Sequence, residues 1–157
     1  MSIFAQVKEA LGGIFGRGLS EEKRMEVEVL FGLIGFLAKS DGLITSYEAE
    51  YTNKLLDALE LNLDGRAVAM GAYDQGRTQG YDVESNATRF LAKYPAGSPE
   101  MEQLFDSLLR LALSDDRVYP RERQALERVS DAFGVSHKSL DQRLALGRLL
   151  DAFGHHS

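Results

Sequence analysis

With 157 residues, 44% of them hydrophobic and 27% charged, the chain has the make-up of one soluble globular domain built on a single core. A net charge of −6 argues against a nucleic-acid partner, and the absence of cysteine excludes disulfides, thiol nucleophiles and thiolate metal sites. Of the three histidines, His155 and His156 stand at the extreme C-terminus, and no apolar run has the roughly 18 residues needed to cross a bilayer, so the expected location is the cytoplasm.

The elements follow a period of 3.6, with no convincing alternating strand. Residues 3–15 place Phe4, Val7, Leu11, Ile14 and Phe15 on one helical face, with Lys8 and Glu9 interrupting the apolar run. Gly12, Gly13, Gly16 and Gly18 weaken and stop this segment, so residues 1–19 are expected to be an amphipathic appendage. It resembles a glycine-rich phosphate loop only superficially, because it follows no strand and lacks the Gly-Lys-Ser/Thr ending. Its fitting roles are a helix packed on the domain, or a contact with a membrane surface or a partner.

Ser20 is a good N-cap for the next helix, which runs to about Ser40 and is apolar almost all round between Val27 and Leu37. A helix of that kind is buried on most sides and belongs at the centre of the core. Asp41-Gly42 is a turn signal, and Thr45 with Glu48 forms a capping box that opens a helix at about Ser46. Residues 62–77 read as a poor helix, because Gly65, Gly71 and Gly76 lie inside it. Asp82 or Ser85 starts another helix, with Val83, Ala87, Phe90 and Leu91 inward, and Pro95 limits it. Ser98-Pro99 opens a helix to Leu113, Pro120 opens one to Phe133, and Ser136 caps the last, which runs toward Leu150. The tail 151–157 is expected to be disordered, leaving 20–150 as the domain.

Shifting the chain by 74 positions reveals an internal repeat: Leu30, Phe31, Leu37, Ala38, Ser40, Asp41, Glu48, Asp57 and Ala58 meet identical residues. The shared Ser-Asp and the Glu seven residues after the Asp are not apolar, so hydrophobic patterning alone does not produce them. Two copies of a buried helix, an acidic turn and a second helix predict an all-α, single-domain bundle of seven or eight helices with two pseudo-symmetric αα-hairpin halves.

These residues carry a family resemblance. The run Ala112-Leu113-Ser114-Asp115-Asp116-Arg117-Val118-Tyr119-Pro120-Arg121-Glu122-Arg123, with Ala132-Phe133-Gly134-Val135-Ser136, resembles the tellurite-resistance TerB-like domain. It is most similar to the version at the front of membrane-anchored DnaJ-like co-chaperones, and Leu37 to Thr45 fits that family's first hairpin. The likeness covers roughly residues 25–150, and Asp116 stands where the family usually has Gly. The J-domain tripeptide His-Pro-Asp occurs nowhere in the sequence, and no transmembrane segment is found. The resemblance therefore implies an all-α module in stress- or envelope-linked assemblies, without the co-chaperones' stimulation of a heat-shock ATPase.

In that family the hairpin acids are suggested ligands for a divalent cation, which map onto Asp41, Glu48, Asp115 and Glu122. Asp41, Gly42, Ile44 and Glu48 match the second half of an EF-hand loop, but Leu37 and Lys39 occupy its earlier ligand positions. Such a site would be weak, of roughly millimolar affinity. Turn formation and helix capping account for the same acids without any ion. Ser136-His137 is not a nucleophile–base pair, since adjacent helical residues do not face each other. Arg121, Arg123, Arg128 and Lys138, interleaved with Glu122, Glu127 and Asp131, suggest a solvated face with local ion pairs. The sequence thus reads as a non-enzymatic protein-interaction or scaffold module with an unidentified protein partner, no nucleic acid and no certain cofactor. The alternatives are a metal-binding protein, a membrane-surface adaptor working through residues 3–15 and, least of all, a carboxylate enzyme.

Overall fold

The computed structural model describes residues 21–40, 46–113 and 120–154. Among them are seven helices and no strand: α1 Glu21–Lys39, α2 Ser46–Ala58, α3 Leu63–Gly76, α4 Val83–Lys93, α5 Pro99–Leu113, α6 Pro120–Phe133 and α7 His137–Gly154. Residues 1–20, which include the amphipathic segment, lie outside the described residues.

The repeat seen in sequence sets the helix boundaries. α1 ends at Lys39 and α5 at Leu113, α2 begins at Ser46 and α6 at Pro120, and α3 begins at Leu63 and α7 at His137, each pair 74 residues apart. The caps repeat as well. Asn62 Oδ1 accepts from Gly65 N at 2.8 Å before α3, and Ser136 Oγ accepts from Ser139 N at 3.1 Å before α7. The left-handed residue that ends the preceding helix is Glu60 (φ 53°) in one copy and Gly134 (φ 75°) in the other. At Gly134, Val135 N bonds Ser130 O at 2.8 Å and Gly134 N bonds Asp131 O at 3.2 Å, the paired bonds of a Schellman ending. A Cβ on Gly134 would meet nothing within 4 Å, so only its backbone conformation resists substitution. Gly134→Ala should lower the unfolding free energy by about 1 kcal/mol, measured by urea titration.

α1 is the central element, as its all-round apolar stretch requires. Val27, Val29, Leu30, Phe31, Leu33, Ile34 and Leu37 are buried, and α1 packs against α3, α4, α5 and α6. α4 is capped by Asp82, whose carboxylate accepts from Ser85 N at 2.9 Å, and it buries Val83, Ala87 and Phe90. It bridges the two three-helix copies, with Phe90 edge-on to Phe133 of α6 at 6.1 Å. Near the start of α1, Glu26 is buried and held by Lys23 Nζ (3.1 Å) and by the hydroxyl of Tyr94, just after α4. Pairing of this kind is what makes a buried carboxylate tolerable.

The widest helix interface among the described residues is α1 on α3, and glycine permits its closeness. A Cβ at Gly35 would overlap the carbonyl of Tyr73, and one at Gly76 would overlap the carbonyl of Gly32. The poor helix of the sequence reading is thus a full helix, in which Gly76 lets the α3 backbone touch that of α1. The second copy does not repeat this contact, because Asp106 and Leu109 stand where Gly32 and Gly35 do.

Candidate functional site

The acids singled out from sequence fall mostly outside what is described. Asp41 and Asp115 lie within 41–45 and 114–119, beyond the described residues, and Glu48 belongs to α2 by its backbone while its side chain is not described. Glu122 is seen, in the first turn of α6, and it is buried at 3% exposure. Among the described residues no group of three or more metal-ligating side chains assembles. The donor set itself, four carboxylates, has the chemistry that suits a hard divalent cation.

The basic cluster behaves differently from the local pairing expected. Arg128 reaches across to Glu84 of α4 with two bonds of 3.1 Å, and Arg123 pairs with Asp141 of α7. Arg128 also lies 5.3 Å over the ring of Phe36. Arg128 leans from α6 toward α4 and Arg123 toward α7, so their long side chains span the gaps between elements instead of folding along their own helix. The bidentate guanidinium of Arg128 holds the Glu84 carboxyl below its usual value, chiefly by direct hydrogen bonding. His137 is bracketed by Glu127 (3.2 Å from Nδ1) and Asp131 (2.9 Å from Nε2), both on α6, while Ser136 acts as a helix cap.

A concave surface among the described residues was not visible in the sequence. It runs along one face of α1, where Arg24, Glu28, Gly32 and Phe36 succeed one another at four-residue spacing. Its larger part has a volume of about 620 Å³ and is lined by Arg24 and Glu28, by Val68 and Gly71 of α3, and by Tyr81 and Arg89. A smaller part of about 220 Å³ is lined by Phe36, Lys39, Ser40, Thr78, Tyr81 and Arg128. Tyr81 is common to both parts and lies across Gly32, where a Cβ would strike its hydroxyl. Gly32 is therefore needed for the tyrosine to seat. The smaller part reaches Ser40, next in sequence to Asp41.

The charges of the trough alternate. Glu28 is paired with Arg24 at 3.3 Å and with Arg89 at 3.5 Å. A floor of Val68, Ala72 and Gly71 with a rim of both signs fits an amphipathic polypeptide better than a polyanion or a purely apolar ligand. Beside it, Leu63 and Met70 of α3 stand 86% and 40% exposed, on the helical stripe that also carries Ala67.

The Tyr81 hydroxyl is buried and makes no hydrogen bond among the described residues. Burial pushes its pKa up to about 12, with Arg89 opposing and Asp82 adding to the shift. A raised folded pKa means the stabilisation is complete below pH 10 and is lost as pH rises toward 12. Tyr81→Phe should therefore fold at least as stably as the parent at pH 7, and should flatten the loss of melting temperature between pH 10 and 12.

Comparison with known proteins places these features in a lineage. The family described as "Tellurite resistance protein TerB" matches residues 27–144. Among the similar curated proteins is the co-chaperone protein DjlA of Vibrio parahaemolyticus, 27% identical over 146 residues that cover 91% of this chain and 51% of that protein. The co-chaperone protein DjlA of Vibrio cholerae is 29% identical over 137 residues, 85% of this chain and 48% of its own. That of Photobacterium profundum is 29% identical over 140 residues, 85% and 50%. The chain thus spans about half the length of the curated relatives it matches. No solved structure matches it. No helix among the described residues is long and apolar enough to cross a membrane. With three quarters of its length under the family match and the duplicated helical unit in place, the chain belongs to the TerB family.

Proposed function

We propose that this chain is a non-enzymatic TerB-family protein-interaction module, serving stress- or envelope-linked assemblies, that docks a protein partner in the trough along α1. The observation that carries the reading is the trough itself, an open groove of about 620 Å³ with a mixed-charge rim and exposed Leu63 and Met70 alongside. Relatives named as co-chaperones give the module a protein-binding context, since those proteins work on other proteins. Ala67 is exposed and lines the trough, so Ala67→Arg fills it at little cost to the fold. Affinity capture followed by quantitative mass spectrometry should recover a partner that is lost on Ala67→Arg and kept by the exposed α6 variant Gln124→Arg. Equal recovery with both variants would sink the reading.

A divalent cation held by Asp41, Glu48, Asp115 and Glu122 tunes this docking, because the trough reaches Ser40, next in sequence to Asp41. An ion that binds only the folded state raises the melting temperature with its concentration. Calcium, magnesium, manganese and zinc are titrated in turn, and at least one should raise the melting temperature at millimolar concentration. Asp41→Ala combined with Asp115→Ala should abolish the rise. A flat titration for all four ions removes the cation from the account and leaves the docking reading standing.

A further inference from the structure

We infer that the polypeptide docked in the trough is an acidic amphipathic helix, whose carboxylates meet Arg24, Arg89 and Lys39 while its apolar face lies on α3. The inference rests on the docking reading above and names the chemistry of the partner. Four of the chain's 18 basic side chains line the trough, Arg24, Lys39, Arg89 and Arg128, against two of its 24 acidic ones, Glu28 and Asp82. On a chain of net charge −6 this is a local reversal of sign. The duplication does not produce it, since the second copy has Ser98 and Leu113 where the first has Arg24 and Lys39.

The two acids of the trough are already engaged from within. Glu28 sits between Arg24 at 3.3 Å and Arg89 at 3.5 Å, and Asp82 caps α4 by accepting from Ser85 N at 2.9 Å. Two guanidiniums on one carboxylate leave a positive charge over and N–H donors unused, and both arginines stay well exposed. Lys39 is exposed and has no ion pair among the described residues. Arg128 is engaged by Glu84, so it shapes the wall and recruits nothing. Arg24 and Lys39 are about 22 Å apart along α1, the length of a four-turn helix. The floor between them is Ala67, Val68, Gly71 and Ala72 of α3, side chains low enough for a second helix to approach, and Leu63 and Met70 extend its apolar surface. A bilayer is too flat to reach this floor, and Glu28 and Asp82 repel a nucleic-acid backbone.

Random peptides of about 16 residues, long enough for a four-turn helix, are displayed on phage and selected on the full chain. The selected sequences are then made as fluorescein-labelled peptides for anisotropy titration. Peptides whose binding is lost on Ala67→Arg occupy the trough. These should carry more Asp and Glu than Lys and Arg, with apolar residues at spacings of three and four, and should bind more weakly as sodium chloride is raised. Arg24→Glu and Lys39→Glu should each lower their affinity about tenfold, and selection on the double variant should turn to basic peptides. A melting curve checks that the reversals fold. Where one does not, Arg24→Gln with Lys39→Gln should still weaken binding about threefold. Neutral or basic peptides in the trough of the parent, or acidic ones indifferent to these changes, overturn the inference and leave the docking reading standing. If no selected peptide is sensitive to Ala67→Arg, both fall. Pelleting with phosphatidylglycerol vesicles that the reversals abolish overturns the inference in favour of a membrane, and a sedimentation coefficient that falls on the reversals does so in favour of a second copy.

Discussion

Gly35→Ala should lower the unfolding free energy by about 2–3 kcal/mol, although it adds one methyl group and improves intrinsic helix propensity. The added carbon has nowhere to go. At this position a Cβ runs into the carbonyl of Tyr73, a backbone atom of α3 that cannot rotate aside. α1 and α3 must then separate, and the widest helix interface among the described residues loses its close packing. Gly71→Ala supplies the control, since it lies in the interior of α3 with nothing near its notional Cβ. There the same change should stabilise by about 0.5–1 kcal/mol, because only the helix-propensity gain remains. Urea denaturation of the two variants beside the parent decides the matter through the midpoint at constant slope. Destabilisation by both, or by neither, would mean that close approach of backbones does not organise this interface.

Phe31→Ala and Phe105→Ala should each cost about 3–5 kcal/mol, the usual range for emptying a buried phenylalanine site. These two residues occupy the same place in the two copies, 74 positions apart, and both are fully buried. They sit on α1 and α5, which pack on each other within one continuous core. Loss of either ring should therefore lower a single, shared unfolding transition. The result is read by following circular dichroism and tyrosine fluorescence together through the melt. Coincident transitions in both variants support one cooperative domain, whereas a second transition in either would show that the copies fold as separate units.

The architecture was legible in sequence because the signals that end and start helices are local. Ser98 before Pro99 announced α5, and its Oγ accepts from Met101 N at 3.3 Å. Asp82, Pro120 and Ser136 marked three more starts in the same way. The repeat was legible because its polar members, Ser40-Asp41 and Ser114-Asp115, recur where apolar patterning does not dictate the residue. What sequence hid was contact between distant elements. Gly65, Gly71 and Gly76 counted against a helix at residues 62–77, since propensity records the cost of glycine and not the neighbour it admits. Nothing in the sequence around Glu26 signals burial, yet Lys23 and Tyr94 enclose it. Arg128 looked like part of a solvated cluster, yet its partners are Glu84 and Phe36, 44 positions away in the first case. The trough arises from the same kind of meeting, between α1, α3 and the residues around Tyr81, so no local pattern announces it.

The most direct test of the docking account is site-specific photo-crosslinking in the living cell. A photoreactive amino acid is placed at Ala67 or Thr78, exposed positions of the trough, and at Gln124 or Lys138, exposed positions on α6 and α7. The account predicts one protein partner joined to the chain from both trough positions and from neither of the others. A partner captured equally from Gln124 and Lys138, or none from the trough, would contradict it.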